Sequence, residues 1–502
     1  MDADAPDINV DPAVVASFLS DAAHVPGGFS AGVAFPGHEG EVAAIVAHAT
    51  RVLVVGAQSS LTGGATPRGD VVVSTRGLNT IGTPAAGRVT VGAGVSLIEL
   101  PRVLAPARLF YPPVPTYEGA FVGGTIATNA AGAATFKYGA TRAWVDAMTV
   151  VLASGDVLDI VRGDTIGSRS GQFEIITTAG AHVIVPVPRY TMPDVAKLSA
   201  GYFARPAMDL IDLFIGSEGT LGVVTAATLR VLPRPARALA LVTCGSDRQA
   251  IALTTSLRHE AREAWAGRGP LDIAAIEYMD ARSLATVNDE SFARAGVSRP
   301  AGGAVMLLLQ IELPADEEAS LTRLQSVLAT AGIEGDPVVS APDDERGAQR
   351  LIDLREAVPA SVNARVAAAK ATDPNIEKTA GDMVVPFERL EDSLALYRGA
   401  FDRRGLEHAI WGHVSDGNLH PNVLPRSMED VRKGREAILE IARGVVAMGG
   451  APLAEHGVGR SAIKQQLLRE LYGDEGVDQM RAVKRALDPE GKLAPGVIFP
   501  EG

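Results

Sequence analysis

Short apolar runs bounded by glycine, proline, asparagine or aspartate predict a strand-rich first half of the chain. The predicted strands cover residues 52–55, 71–74, 88–91, 147–152 and 223–232. Between residues 12 and 50 the spacing of apolar positions predicts two helices around a Pro/Gly break, the second over 39–50. The apolar stretch 145–157 contains Ser154-Gly155-Asp156, which predicts a hairpin turn. Pro233-Arg234-Pro235 then marks a domain boundary.

The pattern changes after this boundary, where glycine becomes less frequent. Predicted strands over 239–243 and 305–312 alternate with helical stretches over 247–265, 317–331 and 345–369. From residue 428 the periodicity is mostly helical, over 429–448, 460–472 and 476–487. We therefore predict an α+β protein in three parts, residues 1–235, 236–427 and 428–502, the last being a helical segment that packs back on the first.

Composition and charge narrow the class of protein. The 502 residues are 47% hydrophobic and 21% charged, which is typical of a globular chain. The formal net charge of −13 and the lack of a basic run argue against a nucleic-acid partner. Cys244 is the only cysteine, which excludes an intrachain disulfide and a thiolate metal cluster and fits a reducing cytoplasm.

The N-terminus is acidic and lacks the layout of a secretory signal, and no run of about 18 uncharged apolar residues predicts a transmembrane helix. We expect a cytoplasmic protein. The sequence leaves open whether it attaches peripherally to a membrane and whether it forms a homodimer.

Three glycine-rich segments lie in the first half. The first, Val54 to Gly64, is a loop of small residues without an acidic group, and its backbone N–H groups can surround a pyrophosphate. It lacks the Gly-Lys-Ser/Thr of an ATPase loop, and a strand rather than a Rossmann helix follows it. An ordinary turn is the alternative.

The second segment, Gly119 to Gly132, is apolar yet rich in Gly, Ala and Thr. A Gly-Gly pair costs a core helix about 1 kcal/mol per glycine relative to alanine, so a backbone lying against a flat ring explains it better. The third segment, Gly216 to Thr225, again places glycines beside a strand.

The strongest chemical pattern is the stretch Trp411 to Asn422. Asp416-Gly417 is a favoured two-residue hairpin turn, and a turn centred there places His413 opposite His420. Directly opposed residues share one face with Cβ atoms roughly 5 Å apart, so the two imidazoles can share a divalent ion. Two core histidines bonded to backbone groups are the alternative.

A third ligand is available in Glu455, which precedes His456 in a glycine-flanked segment. A His-His-Glu set suits zinc, and manganese stays open. We assign Glu455 to the metal and His456 as the base that takes the proton of an alcohol, with exchange of these two roles as the alternative.

In their order and spacing, the three glycine-rich segments resemble the FAD-binding domain of the vanillyl-alcohol oxidase superfamily. The histidine stretch and the Glu455-His456-Gly457 motif resemble one branch of it, which contains glycolate oxidase flavin subunits, D-lactate dehydrogenases and D-2-hydroxyglutarate dehydrogenases. The resemblance covers residues 40–500. It implies a two-subdomain PCMH-type FAD-binding domain, an α+β cap domain with an antiparallel sheet, and a helical C-terminal segment. Because no histidine or cysteine has the context of covalent attachment, we expect non-covalent FAD.

The resemblance also implies roles for individual residues. The pyrophosphate is expected at the backbone of Gln58, Ser59, Ser60, Leu61, Thr62 and Gly63. The remaining FAD contacts are expected at Gly123, Gly124, Ile126, Asn129, Gly219, Val223 and Asn422. The branch has the metal at positions matching His413, His420 and Glu455 and the base at His456. Arg355 and Lys378 match positions that contact substrate carboxylates.

The sequence departs from the family pattern at four of these places. Gln58 stands where relatives often have glycine, and the backbone contacts there survive if its φ stays negative. Ser415 replaces a common glycine beside the predicted turn, and Ala494 stands where relatives usually carry asparagine near the flavin. Pro359 replaces a hydroxyl donor, which leaves the size of the substrate open.

We therefore predict FAD-dependent oxidation of a small D-2-hydroxy acid, of the D-lactate, glycolate or D-2-hydroxyglutarate type, to the 2-oxo acid. The electron acceptor stays open among oxygen, a quinone, a cytochrome and an electron-transfer flavoprotein. The alternatives are a non-redox group transfer of the alkyl-dihydroxyacetone-phosphate synthase type, a metal-dependent hydrolase, and an inert electron-transfer or binding subunit.

Overall fold

A computed structural model describes residues 7–113, 115, 117–314 and 316–501 of the chain. The described residues of the first half form six α-helices: α1 Pro12–Ala16, α2 Glu39–His48, α3 Glu99–Leu104, α4 Val122–Thr128, α5 Thr135–Tyr138 and α6 Leu210–Phe214. Its strands are β1 Phe29–Ala34, β2 Val52–Val55, β3 Arg68–Ser74, β4 Arg88–Gly92, β5 Leu109–Phe110, β6 Val145–Val151, β7 Val157–Val161, β8 Gln172–Ile176, β9 His182–Pro186, β10 Val223–Arg230 and β11 Leu232–Pro233.

Two sheets organise this half. Strands β1, β3 and β2 form a parallel sheet, and the wholly apolar sequence of β2 suits a strand covered on both faces. Strands β4, β10, β6 and β7 form an antiparallel sheet, in which β10 alternates buried and half-buried residues because one of its faces packs on the core. The predicted hairpin turn joins β6 to β7. Strand β1 lies within residues 12–50, where the apolar spacing predicts two helices and no strand.

Where the structure describes the second half, it has eight α-helices: α7 Asp247–Trp265, α8 Ala281–Thr286, α9 Asp289–Arg294, α10 Glu317–Thr330, α11 Glu345–Thr372, α12 Leu390–Asp402, α13 Met428–Ala447 and α14 Ala462–Leu487. Its strands are β12 Ala236–Cys244, β13 Asp272–Met279, β14 Val305–Leu313, β15 Val338–Ser340, β16 Thr379–Ala380, β17 Met383–Val384, β18 His408–His413 and β19 Asn418–Val423. No helix in the described ranges combines the length and apolar character needed to cross a bilayer.

The strands of this half form one antiparallel sheet in the order β15-β12-β14-β13-β18-β19-β16, with β17 also paired to β19. The α+β class and the antiparallel cap sheet expected from the sequence are confirmed. Gly473 has a φ of +68° inside α14, which separates the two helices expected there. The division into residues 1–235, 236–427 and 428–502 stays a prediction.

The C-terminal residues return to the first half of the chain. Val52 donates its N–H to the carbonyl of Lys492, and Ala494 donates to the carbonyl of Val52. Gly459 lies against Thr62 of the first glycine-rich loop: a Cβ added to Gly459 would stand 2.1 Å from the Thr62 hydroxyl oxygen. A glycine is therefore required for the close approach of these two loops.

Gly459→Ala is expected to separate the two loops, because overpacking costs roughly 1–3 kcal/mol in addition to the strain of a positive φ. We expect a lower thermal midpoint and a lower FAD content than in the unmodified protein. Gly267→Ala is the matched control, since Gly267 has a φ of +73° but no atom within 4 Å of its added Cβ. Equal losses in both variants would contradict the close contact.

Candidate active site

The loop after β2 presents several backbone N–H groups without protein acceptors. Within the described residues, the amides of Ser59, Ser60, Leu61 and Gly63 make no hydrogen bond to the protein, whereas those of Thr62 and Gly64 donate to the hydroxyl of Ser60 at 3.2 Å. Adjacent free amides on a loop without acidic groups fit an anion such as a pyrophosphate. The first glycine-rich segment therefore has the donors that FAD requires.

The φ of Gln58 is not negative, contrary to the condition under which the backbone contacts of this loop were expected to survive. Its φ is +55°, the left-handed conformation that glycine adopts without strain. The side-chain amide donates to the carbonyls of Ser17 and Ser20, at 2.9 Å each. These two bonds explain how a residue other than glycine is held in this conformation.

The three glycine-rich segments meet in space. Gly56 lies against Phe121, and the carbonyls of Ile126 and Ala127, in α4, accept hydrogen bonds from the amides of Gly216 and Glu218. The two glycines of α4 have different surroundings. Gly123 packs against Ala93, where a Cβ would stand 2.7 Å from the alanine Cβ, whereas Gly124 faces open space. Only Gly124 thus fits the expectation of a backbone open to a flat ring.

The other residues assigned to FAD lie around this junction. Asn129 ends α4 with a φ of +50°, and its side chain accepts from the amide of Arg142 and donates to the carbonyl of Leu198. Ile126 and Val223 are buried, and Gly219 has no atom within 4 Å of an added Cβ. Their expected contacts with the cofactor stay predictions.

The histidine hairpin forms, but the predicted register is wrong. His413 pairs with Asn418 and Trp411 pairs with His420, because Val414–Asp416 form a 3₁₀ turn that ends at Gly417, which has a φ of +79°. The loop is therefore two residues longer than the predicted turn. A shift of two residues keeps each side chain on its face of the sheet. The two imidazole rings consequently still lie next to each other, with centroids 5.6 Å apart and ring planes nearly perpendicular.

Glu455 completes this histidine cluster. Its Oε1 lies 3.3 Å from Nε2 of His413, and its Oε2 lies 3.8 Å from Nε2 of His420. One ligand atom from each of the three residues lies within 4.8 Å of the others. Two imidazole nitrogens and a carboxylate oxygen converging in a buried position are a donor set that fits zinc.

The electrostatics of the two histidines differ. Burial lowers the pKa of His413, but the Glu277 carboxylate at its Nδ1 outweighs this effect and raises the pKa to about 9. Burial lowers the pKa of His420 to about 3. Burial also lowers the pKa of His456, which leaves its imidazole neutral near pH 7 and able to accept a proton.

Sequence reasoning missed several charged residues of the site. Lys197 is fully buried, and its Nζ lies 2.6 Å from Glu455 and 2.9 Å from Asp416. The same Nζ donates to the carbonyl of Gly132, the last residue of the second glycine-rich segment, at 3.2 Å. Lys197 therefore connects the carboxylate of the cluster with the flavin-binding half. A single lysine in an unremarkable stretch carries no pattern by which it could have been found.

Two carboxylates, the buried Asp382 and the half-buried Glu218, hold the backbone of residues 455–459. Asp382 accepts hydrogen bonds from the backbone amides of Glu455 and His456, at 2.8 and 3.0 Å. Glu218, in the third glycine-rich segment, accepts from the amides of Val458 and Gly459, at 2.8 Å each. The backbone of this loop is thus fixed between the two halves of the chain.

The two cations expected at the substrate have different environments. The guanidinium of Arg355 is buried and paired with Glu277, at 2.6 Å, and with Glu356, at 2.7 Å. Lys378 donates to Asn363 at 2.9 Å and has no carboxylate partner among the described residues. Lys378 is therefore better able than Arg355 to pair with the carboxylate of a substrate.

The remaining expected positions are buried. Asn422 donates to the carbonyl of His420, and its Oδ1 has no hydrogen-bond partner in the described part of the chain. Ala494 has a φ of +45°, a conformation that asparagine adopts more readily than alanine.

Comparison with known proteins identifies the class. Residues 30–160 match the family model of the FAD binding domain, and residues 234–498 match that of the FAD linked oxidases, C-terminal domain. The protein is thus an FAD-dependent oxidoreductase. It belongs to the FAD-linked oxidase family, and the resemblance inferred from its motifs is confirmed.

Curated relatives match most of the chain. The glycolate oxidase subunit GlcD of Bacillus subtilis is 29% identical over 82% of this chain and 75% of its own length. The D-lactate dehydrogenase of Archaeoglobus fulgidus is 28% identical over 92% and 90%, and the D-2-hydroxyglutarate dehydrogenase of Stutzerimonas stutzeri is 29% identical over 93% and 90%. A solved alkyldihydroxyacetonephosphate synthase, 14% identical over 92% of this chain and 76% of that one, has the same fold with a TM-score of 0.58.

Glu218 gives a pH-dependent contribution to stability. Burial raises its pKa to about 7, although the amides of Val458 and Gly459 oppose this shift. The folded protein therefore keeps a proton that the unfolded chain releases above its ordinary pKa of 4.5. This contribution is present at low pH and is lost as the pH rises towards 7.

Glu218→Gln removes this titration. We expect the thermal midpoint of the variant, relative to the unmodified protein, to be lowest at pH 5 and to improve by several degrees towards pH 8. The exposed Glu174, replaced by glutamine, serves as the control and should give a constant difference. A constant difference for Glu218→Gln as well would contradict the raised pKa.

Proposed function

We propose that this enzyme oxidises a small D-2-hydroxy acid to the corresponding 2-oxo acid. The observation that carries the proposal is that His413 and His420 of the β18–β19 hairpin meet Glu455 and His456, which lie on a loop that touches the glycine-rich FAD segments. Gly459 contacts the first segment, Lys197 bridges Glu455 to the second, and Glu218 of the third binds the loop backbone. A reaction at these side chains would therefore take place next to bound flavin.

A divalent metal fits the cluster of His413, His420 and Glu455, with zinc first and manganese second. A carboxylate behind a metal-binding imidazole fixes the ring and increases its basicity, and Glu277 has this position behind Nδ1 of His413. When bound, the metal supplies a Lewis acid that lowers the pKa of an alcohol, and FAD supplies a hydride acceptor.

His456 is the base in this proposal. Its ring stacks beside His420, with centroids 5.7 Å apart, and its side chain is about one-third exposed. This imidazole would take the hydroxyl proton of the substrate, and bound FAD would supply the acceptor for the hydrogen of the alcohol carbon together with its electron pair. The alcohol carbon loses two electrons and becomes a carbonyl.

Lys378 is the preferred partner for the substrate carboxylate. Burial lowers its pKa, and no carboxylate of the described residues pairs with it. Arg355 stays a second candidate, although Glu277 and Glu356 already bind its guanidinium. The named substrates of the relatives, glycolate, D-lactate and D-2-hydroxyglutarate, share a carboxylate next to the hydroxyl carbon.

Anaerobic mixing with D- and L-forms of lactate and 2-hydroxyglutarate and with glycolate, followed by flavin absorbance, tests this proposal. We expect a D-hydroxy acid to bleach the flavin rapidly and its L-enantiomer to have little effect. His456→Gln should slow the bleaching by about 10²–10⁴-fold, the range for loss of a general base, with FAD content unchanged.

Two results would contradict the proposal. Flavin that stays oxidised with every hydroxy acid would favour group transfer of the alkyl-dihydroxyacetone-phosphate synthase type. Undiminished bleaching in His456→Gln would remove the imidazole from the reaction and leave the base unassigned.

A further inference from the structure

Asp382 lies at the centre of the candidate site without belonging to the predicted metal set. It follows β16 and precedes β17, and its side chain is almost completely buried. Its backbone carbonyl accepts from the amide of Ala454, so the residue that precedes the two site residues is also bonded to it. A buried carboxylate needs several donors to offset its desolvation, and the identity of those donors indicates its role.

One oxygen of Asp382 faces His456. This oxygen, Oδ2, accepts the two backbone amides of Glu455 and His456 and lies 3.2 Å from Nδ1 of His456. A carboxylate oxygen only accepts hydrogen bonds when ionised, so a ring nitrogen at this distance is stabilised when it carries the hydrogen. The neutral imidazole then has its lone pair on Nε2, at the opposite edge of the ring.

The second oxygen faces His420. Oδ1 accepts from the side-chain amide of Asn418 at 3.2 Å and lies 3.6 Å from Nδ1 of His420. That nitrogen is buried and has no hydrogen-bond partner within the described ranges. The Nε2 of the same ring faces Glu455. Although 3.6 Å is too long for a hydrogen bond, the negative charge of Asp382 on this side of the ring favours the hydrogen on Nδ1 of His420.

We propose that Asp382 is a positioning residue that holds both His456 and His420 as their Nδ1–H tautomers, so that the Nε2 of His456 accepts the substrate proton and that of His420 is free to bind a metal. This inference rests on the proposed function for the role of Nε2. The tautomer itself is a property of the protein without substrate.

Glu218 provides a matched control. It is half-buried and also holds residues 455–459 through two backbone amides, but within the described residues neither of its oxygens is paired with an imidazole. A merely structural role for Asp382 predicts that Asp382→Asn and Glu218→Gln behave alike. A positioning role predicts that only Asp382→Asn changes the histidine rings.

The test is two-bond ¹⁵N–¹H correlation NMR of the FAD-loaded enzyme with ¹⁵N-labelled histidine rings, with His456→Gln to assign the resonances. We expect His456 as Nδ1–H in the unmodified protein and in Glu218→Gln, and a shift towards Nε2–H in Asp382→Asn. Stopped-flow reduction by the D-hydroxy acid should slow by about 10²-fold or more in Asp382→Asn, whereas Glu218→Gln serves as the control for the tautomer alone.

Several outcomes would overturn the inference. Nε2–H at His456 in the unmodified protein would do so even if Asp382→Asn failed to fold. An unchanged tautomer in a folded Asp382→Asn would do so as well. Asp382, Glu455 and His456 also lie close enough to bind an ion, so loss of the Nδ1 hydrogen of His456 on adding Zn²⁺ would make Asp382 a ligand instead. The NMR measurement needs no substrate. If the enzyme oxidised no hydroxy acid, the proposed function would therefore fail while the tautomer assignment could still be tested.

Discussion

The candidate site depends on the fixed backbone of residues 455–459. This loop carries a carboxylate and an imidazole side by side, and neither would hold a position if the backbone moved. Asp382 binds its first two amides and Glu218 binds two later ones, so each half of the chain contributes one clamp. The close contact of Gly459 with Thr62 adds a third restraint. The geometry of the site is thus coupled to the packing of the two halves.

The buried charged residues around this loop form a chain in which positive and negative side chains alternate. Arg355 pairs with Glu277, Glu277 with His413, His413 with Glu455, Glu455 with Lys197, and Lys197 with Asp416. Removing isolated charges from water is costly, and attraction between neighbours of opposite sign offsets that cost only when the geometry is good. Well-packed apolar residues can often replace buried ion pairs without loss of stability, so a role in the site explains these charges better than a role in the fold.

The sequence predicts regular elements well and long-range partners poorly. The helix over 247–265 was predicted with its observed ends, since Ser246 is a favourable N-cap and the apolar period is helical. The face of the histidine hairpin was also predicted, although its register was wrong by two residues, because Val414–Asp416 turn within a 3₁₀ helix. The metal-binding candidates could be identified because they stand in compact motifs.

The supporting residues could not be identified in this way. Glu277 is 136 residues from His413, Asp382 is 74 from His456, and Lys197 is 258 from Glu455. Their roles arise from tertiary pairing, which leaves no periodic pattern in the chain. For Arg355 the motif can be recognised in the sequence, but its tertiary partners cannot. The motif predicts substrate contact, whereas the guanidinium pairs with Glu277 and Glu356.

Anomalous X-ray diffraction at the zinc edge, from crystals of the FAD-loaded enzyme supplied with Zn²⁺, tests the central claim most directly. The account predicts one strong peak within roughly 2.0–2.2 Å of Nε2 of His413, Nε2 of His420 and a carboxylate oxygen of Glu455, on the side of the loop that faces the flavin. A peak bound instead by Asp382, Glu455 and His456, or no peak at either group, would contradict it.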